Sequence, residues 1–430
     1  MSRKNNGKRK PRRRIRWGIL LAPVVIIAAV AALLIMPRMK VSKQLKELGY
    51  NSEEITAIRE YGLSDTILKN GWYSKVLADH IRSHTLRTEY IDLYAVCDED
   101  RELDETDFLL YNRLADIGYE SDQLQNLYKQ LHFWEMTPLL LFDYQWDETK
   151  YVADCISHRD TNSVDSFTLS GNYRRNYRYT YETDTADPVI MLVNKSYYLK
   201  ENYTPKDVTA ISSKYAVPGQ SLAKIAADSF KEMCEAGIEN KTAFFMADSY
   251  TSYETQKTQY DKQVSLSGQD KADAMVLRPG FNEHQTGMAV NVSSTYETKV
   301  KFADSNTRAW LRTACIRYGW IERYPTEKAV ITGFKDEPGH YRYIGKDLAV
   351  LVAESKLTYD EYYCLYLKGW HDEKLIPAED ILDKTNYGII HPDQKKEEKP
   401  ESTESPAPEA ETPAPQTETP APSEEPEGSD

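Results

Sequence analysis

The chain has 430 residues, 40% of them hydrophobic, which is enough for more than one folded unit around a sizeable core. Its 54 Lys and Arg stand against 67 Asp and Glu for a net charge of -13. With no Gly-rich phosphate loop and one basic cluster at the N-terminus, nucleotide and nucleic-acid chemistry are excluded. Five cysteines without a CxxC pair exclude a sulfur-bound metal and read as small buried apolar side chains.

Basic residues from Arg3 to Arg16 crowd the stretch 1–16 and abut an uninterrupted apolar run, Trp17 to Met36. About 20 apolar residues cover the roughly 30 Å hydrocarbon layer, so 17–36 is expected to be a transmembrane helix. The basic flank belongs in the cytoplasm by the positive-inside rule, which places the rest of the chain outside the cell. A cleaved signal peptide is the alternative, and the run is long for one.

Residues 41–144 read as a helical repeat or spacer region. Leu45-Lys46-Glu47-Leu48-Gly49-Tyr50-Asn51-Ser52 matches Leu114-Ala115-Asp116-Ile117-Gly118-Tyr119-Glu120-Ser121, with a weaker copy at Gly62-Leu63-Ser64. Each unit suggests a helix closed by Gly and a next helix capped by Ser. A spacer holding the following domain off the membrane is the expected role, and docking of a protein partner on the repeats is the other. Residues 145–187 are expected to be a strand-rich connector, on the alternation of Tyr173, Tyr177, Tyr179 and Tyr181 with polar residues.

Residues 188–367 have the variety of an α+β domain. Helices are expected over Ser221–Ala236, Glu254–Ala272 and Asn306–Tyr318, and strands over Thr242–Ala247, Met288–Val292 and His340–Tyr343. A connector, 368–393, leads to a tail at 394–430 whose repeated Glu-Thr-Pro-Ala-Pro has almost no apolar surface to offset chain entropy, so it is expected to be disordered.

Two stretches carry chemistry: Asn282-Glu283-His284-Gln285-Thr286-Gly287-Met288-Ala289-Val290-Asn291 and Glu337-Pro338-Gly339-His340. A catalytic zinc site takes three protein ligands and leaves a position for water. His284 and His340 are the expected imidazole ligands, and Glu337 the general base. Alternation along 288–292 puts Ala289 and Asn291 on one face, so Asn291 points where a third ligand would sit.

With these residues the chain resembles the zinc D-alanyl-D-alanine carboxypeptidases of the VanY type and their L,D-carboxypeptidase relatives. Their pattern is Ser-x-His-x-x-Gly-x-Ala-x-Asp followed by Glu-Pro-Trp-His. Further fragments fall in order over 188–367: Val193-Asn194-Lys195, Tyr203-Thr204-Pro205, Ser252-Tyr253-Glu254-Thr255-Gln256, Tyr318-Gly319-Trp320-Ile321-Glu322-Arg323-Tyr324-Pro325 and Leu357-Thr358-Tyr359-Asp360-Glu361-Tyr362. The resemblance implies a small, mainly antiparallel sheet with helices, zinc on His284, Asn291 and His340, and Glu337 as base. Tyr250, Ser252, Gln256, Asn282 and Tyr324 are implied to line the substrate groove, and the partner is the peptidoglycan stem peptide.

The departures fall at the chemistry. Asn291 stands for the family's Asp, Asn282 for its motif Ser and Gly339 for its Trp. In its Ser-Gly-Tyr-Arg-Ser stretch this chain reads Asp248-Ser249-Tyr250-Thr251-Ser252, so Thr251 replaces the substrate-gripping Arg. A neutral amide is a weaker ligand than carboxylate for such an ion. A relative that binds stem peptide without cutting it is therefore the first expectation, and an active zinc carboxypeptidase the alternative.

Overall fold

The computed structural model describes residues 36–97, 101–141, 148–159, 177, 180–297, 299–334 and 337–369. The basic stretch 1–16, the expected membrane helix 17–36 apart from Met36, the connector 368–393 beyond its first two residues, and the tail 394–430 lie outside these residues. Among the described residues no helix is long and apolar enough to cross a membrane.

Short helices build the first part: Ser52–Glu60, Ser64–Asn70, Lys75–Arg82, Ile91–Val96, Glu105–Asp116, Ser121–Gln130 and Phe133–Leu141. Gly49 and Gly118, at φ 122° and 104°, turn the chain at matching points of the repeat. The caps fall one residue before the expected serines. Asn51 Oδ1 accepts the N–H groups of Glu53 and Glu54, while Glu54 accepts the N–H of Asn51. At the second copy the N–H of Glu120 donates to Gln123 Oε1.

The expected strand-rich connector is in part helical. Tyr151, Val152 and Cys155 are buried at helical spacing on the helix Glu148–His158, and helical periodicity overrides the strand reading there. Of the alternating aromatic stretch 173–181, only 177, 180 and 181 are described. Strand β1, Tyr181–Glu182, pairs in parallel with β2, Tyr197–Tyr198.

The helices do not stand apart as a spacer. One hydrophobic core runs from Leu45 through Leu139 to Leu365. Helix Phe133–Leu141 packs on Tyr359–Tyr362 and on the π-helix Tyr363–Leu367. Lys368 Nζ donates to the carbonyls of Leu140 (2.6 Å) and Leu141 (2.8 Å), and Arg113 Nε to that of Leu365 (3.3 Å). The orphan carbonyls of that helix end are thus satisfied from the far side of the chain.

Strands β3, Val208–Ala210, and β4, Ser221–Ala223, form a small antiparallel pair. The helix expected from Ser221 therefore starts at Lys224 and runs to Glu239, because residues 221–223 are committed to β3. The expected helix 254–272 is two, Tyr253–Ser267 and Gln269–Met275, broken at Gly268 with φ 80°. The third ends as a 3-10 turn, Cys315–Tyr318, after Asn306–Ala314.

The main sheet has the order β5-β6-β8-β7, all antiparallel: β5 Phe244–Asp248, β6 Ala289–Ser294, β7 Trp320–Glu322 and β8 His340–Tyr343. Val290, Val292, Tyr341 and Trp320 are buried. Trp320 meets Phe230 of helix Lys224–Glu239 edge-on, with ring centroids 5.8 Å apart, and its indole N–H donates to Ser229 Oγ at 3.0 Å. In register, Asp248 lies opposite Asn291 and Asn291 opposite His340.

Candidate metal centre

His284 sits on a 3-10 turn, Glu283–Thr286, that leads into β6, and is buried. Asn282 shapes this turn: its Oδ1 accepts the N–H of His284 (3.0 Å), and its Nδ2 donates to Gln256 Oε1 (2.8 Å). Gln256 is buried in turn and its Nε2 donates to the Leu277 carbonyl at 2.6 Å. Asn282 and Gln256, both expected in the groove, thus spend these hydrogen bonds on holding the His284 turn. Gly287 closes it at φ 69°, where a Cβ would stand 2.9 Å from Pro205 Cγ.

Across the strand pair, the ring of His340 comes within 5.1 Å of that of His284 between centroids, at 75°. His340 Nε2 lies 3.1 Å from Glu283 Oε2, and His340 Nδ1 lies 3.9 Å from Glu337 Oε2. Glu283 is buried among cations. Burial favours its neutral form, but the charge of Arg323, the hydrogen bond with His340 and the charge of Arg342 outweigh that and hold its pKa down to about 2. An ionised carboxylate only accepts, so Nε2 carries the hydrogen of this contact, and Nδ1 is the ring nitrogen turned toward Glu337.

The support continues inward. Arg323 Nε donates to Glu283 Oε1 (2.8 Å), Arg323 Nη1 to Asp360 Oδ2 (2.6 Å), and Asn194 Nδ2 to Asp360 Oδ1 (2.7 Å). All four residues are buried. Glu283, Arg323, Asp360 and Asn194 are the working residues that sequence reasoning missed. Each lies inside a quoted fragment, but none of them is marked by a local pattern of its own.

His284 is driven to about 4, chiefly by burial and then by repulsion from His340, with Asp248 pulling the other way. It is therefore neutral near pH 7. Its Nδ1 and Asn291 Oδ1 are buried with no hydrogen-bond partner among the described residues. Two unpartnered buried donors of lone pairs facing a second imidazole cost about 1–3 kcal/mol each unless a cation takes them up, so these residues fit a divalent ion. Among the described residues no three His, Cys, Asp or Glu side chains gather as ligands, because one corner is an amide.

Tyr324 is buried, stacked 4.0 Å from Phe334 and 4.9 Å from the His340 ring. Thr251 stands at the other rim, its N–H donating to the His284 carbonyl at 3.3 Å. Ser252 is used as a helix cap, accepting the Thr255 N–H at 3.2 Å, and the N–H of the half-buried Tyr250 donates to the Ser221 carbonyl at 3.1 Å. Gly339 is required where it stands, since a Cβ there would lie 2.7 Å from the Val292 carbonyl.

Residues 219–346 match the family described as VanY, D-alanyl-D-alanine carboxypeptidase. YodJ of Bacillus subtilis (strain 168) is 32% identical over 222 residues, which are 49% of this chain and 81% of that protein. The chain belongs to the VanY-type D-alanyl-D-alanine carboxypeptidase family. A family relative of Enterococcus faecalis (strain ATCC 700802 / V583), a D-alanyl-D-alanine carboxypeptidase, is 34% identical over 126 residues, 27% of this chain and 46% of that protein. The solved LdcB LD-carboxypeptidase is 35% identical, covering 41% of this chain and 87% of that one with a TM-score of 0.38. The resemblance read from the quoted motifs is thereby borne out, and with it the VanY-like arrangement of helices and a small antiparallel sheet.

Proposed function

We propose that this family member is a metal-dependent carboxypeptidase that removes the terminal residue of peptidoglycan stem peptides outside the cell, anchored by its N-terminal apolar run. The observation that carries this is the buried chain Asn194–Asp360–Arg323–Glu283, which ends by holding Nε2 of His340 so that Nδ1 stands beside Glu337. A buried network of three charged residues and an amide is costly to keep, and it ends on the imidazole that stands beside Glu337.

His284, Asn291 and His340 would hold zinc. When bound, zinc polarises a peptide carbonyl and makes water a better nucleophile near neutral pH. Glu337, partly exposed and 3.9 Å from His340 Nδ1, accepts the proton of the attacking water and passes it to the leaving amine. Tyr324 and the Thr251 rim bound the space where the peptide end would lie.

A second reading rests on Thr251. The family's Arg at this point would grip a carboxylate through a fork of donors, and a threonine leaves stem peptide held without that clamp. A wall-peptide binder that does not cut is then the function. The test is D-alanine release from a pentapeptide ending in D-Ala-D-Ala with zinc supplied. Release that Glu337→Gln abolishes supports the enzyme; binding of the peptide with no release at saturating zinc supports the binder.

A further inference from the structure

Asp248, Asn291 and His340 form one row across β5, β6 and β8. Directly opposed residues of antiparallel strands project from the same face, with Cβ atoms about 5 Å apart. For β5 this alignment is the product of a slip. Phe244, Phe245 and Met246 pair in step with Ser294, Ser293 and Val292, so Ala247 would come next opposite Asn291; the register shifts and Asp248 takes that place. A bulge re-aims a side chain, and here it turns a carboxylate onto the face that carries His340.

Asp248 Oδ1 accepts the Ser249 N–H at 2.9 Å, and among the described residues no cation pairs with the carboxylate. Beside it, Asn291 Oδ1 and His284 Nδ1 are buried and have no hydrogen-bond partner among the described residues. The family pattern given above has Ser at position 248 and Asp at 291, whereas this chain has Asp248 and Asn291. The negative charge has moved one strand over, along a row that the register keeps intact.

We propose that Asp248 supplies the anionic charge of the metal centre that Asn291 does not. This rests on the metal-site reading above. Two neutral imidazoles and an amide give a divalent ion no charge to meet its own. A carboxylate one strand spacing away, about 5 Å, restores it without occupying the place of Asn291.

The test is zinc affinity of the full chain, measured by competition with a chromophoric chelator, for the wild type, Asp248→Asn, Asn291→Asp and the double variant Asp248→Ser with Asn291→Asp. Asp248 is exposed, so Asp248→Asn should melt like the wild type. Its zinc affinity should fall about 10- to 100-fold, the range for residues that support metal ligands. The double variant should recover the wild-type affinity, and Asn291→Asp should gain more when Asp248 is absent than when it is present. Equal zinc affinity in Asp248→Asn and the wild type overturns the inference and leaves the metal-site reading standing. A wild type that binds no zinc overturns both.

Discussion

Glu283→Gln removes one charge from the buried chain while keeping its shape. In the wild type the carboxyl pKa lies near 2 against an ordinary 4.5. That difference of about 2.5 units corresponds to roughly 3 kcal/mol of folding stability at neutral pH, at about 1.4 kcal/mol per unit. Breaking a buried ion pair by removing one partner gives a similar figure, about 3–5 kcal/mol. The folded pKa is depressed, so the contribution is present above pH 4.5 and is lost as pH falls toward 2; roughly 2 kcal/mol of it is gone by pH 3. Urea denaturation of the metal-free protein should show Glu283→Gln about 3 kcal/mol less stable than the wild type at pH 7, with the gap narrowing to about 1 kcal/mol at pH 3. A gap under about 1 kcal/mol at pH 7, or one unchanged at pH 3, would refute the view that this carboxylate is ionised and clamped by Arg323.

Gly339→Ala should destabilise the domain by about 1–3 kcal/mol in a thermal melt, because the new Cβ would meet the Val292 carbonyl at 2.7 Å. Lys368→Met takes the lysine donor from the Leu140 carbonyl, while that of Leu141 keeps the Tyr197 hydroxyl, and should cost about 1–3 kcal/mol by chemical denaturation. Glu337→Gln should lower kcat for D-alanine release about 10²- to 10⁴-fold with little change in melting temperature, since its side chain is partly exposed. Thr251→Arg should lower KM for the same peptide more than it raises kcat, if the peptide end lies along that rim.

The metal-facing residues were legible because each sits in a short local pattern. His284 is framed by a turn that ends at Gly287, His340 opens a strand three residues after Glu337, and alternation alone aims Asn291 at the same side. What could not be read locally is what depends on pairing. Glu283 adjoins His284, yet its role exists only because Arg323 arrives from the end of β7 and Asp360 from a later helix. Asn282 and Gln256 look like groove residues until their amides are seen to bond to each other. The start of the helix at Lys224 rather than Ser221 is likewise decided by β3, a partner strand that leaves no mark on residues 221–223 themselves. The helical repeat was visible through Gly49 and Gly118, but its fusion to the rest of the core runs through contacts more than 200 residues apart, such as Lys368 with Leu140.

The grip of Lys368 on Leu140 and Leu141 bears on where this chain can be cut. A truncation before residue 188 would strip away the apolar flank of Tyr363 and Leu365 along with the carbonyls that Lys368 holds. In this chain the repeats and the cleft lean on the same core, and the join between them is closed by side chains from both.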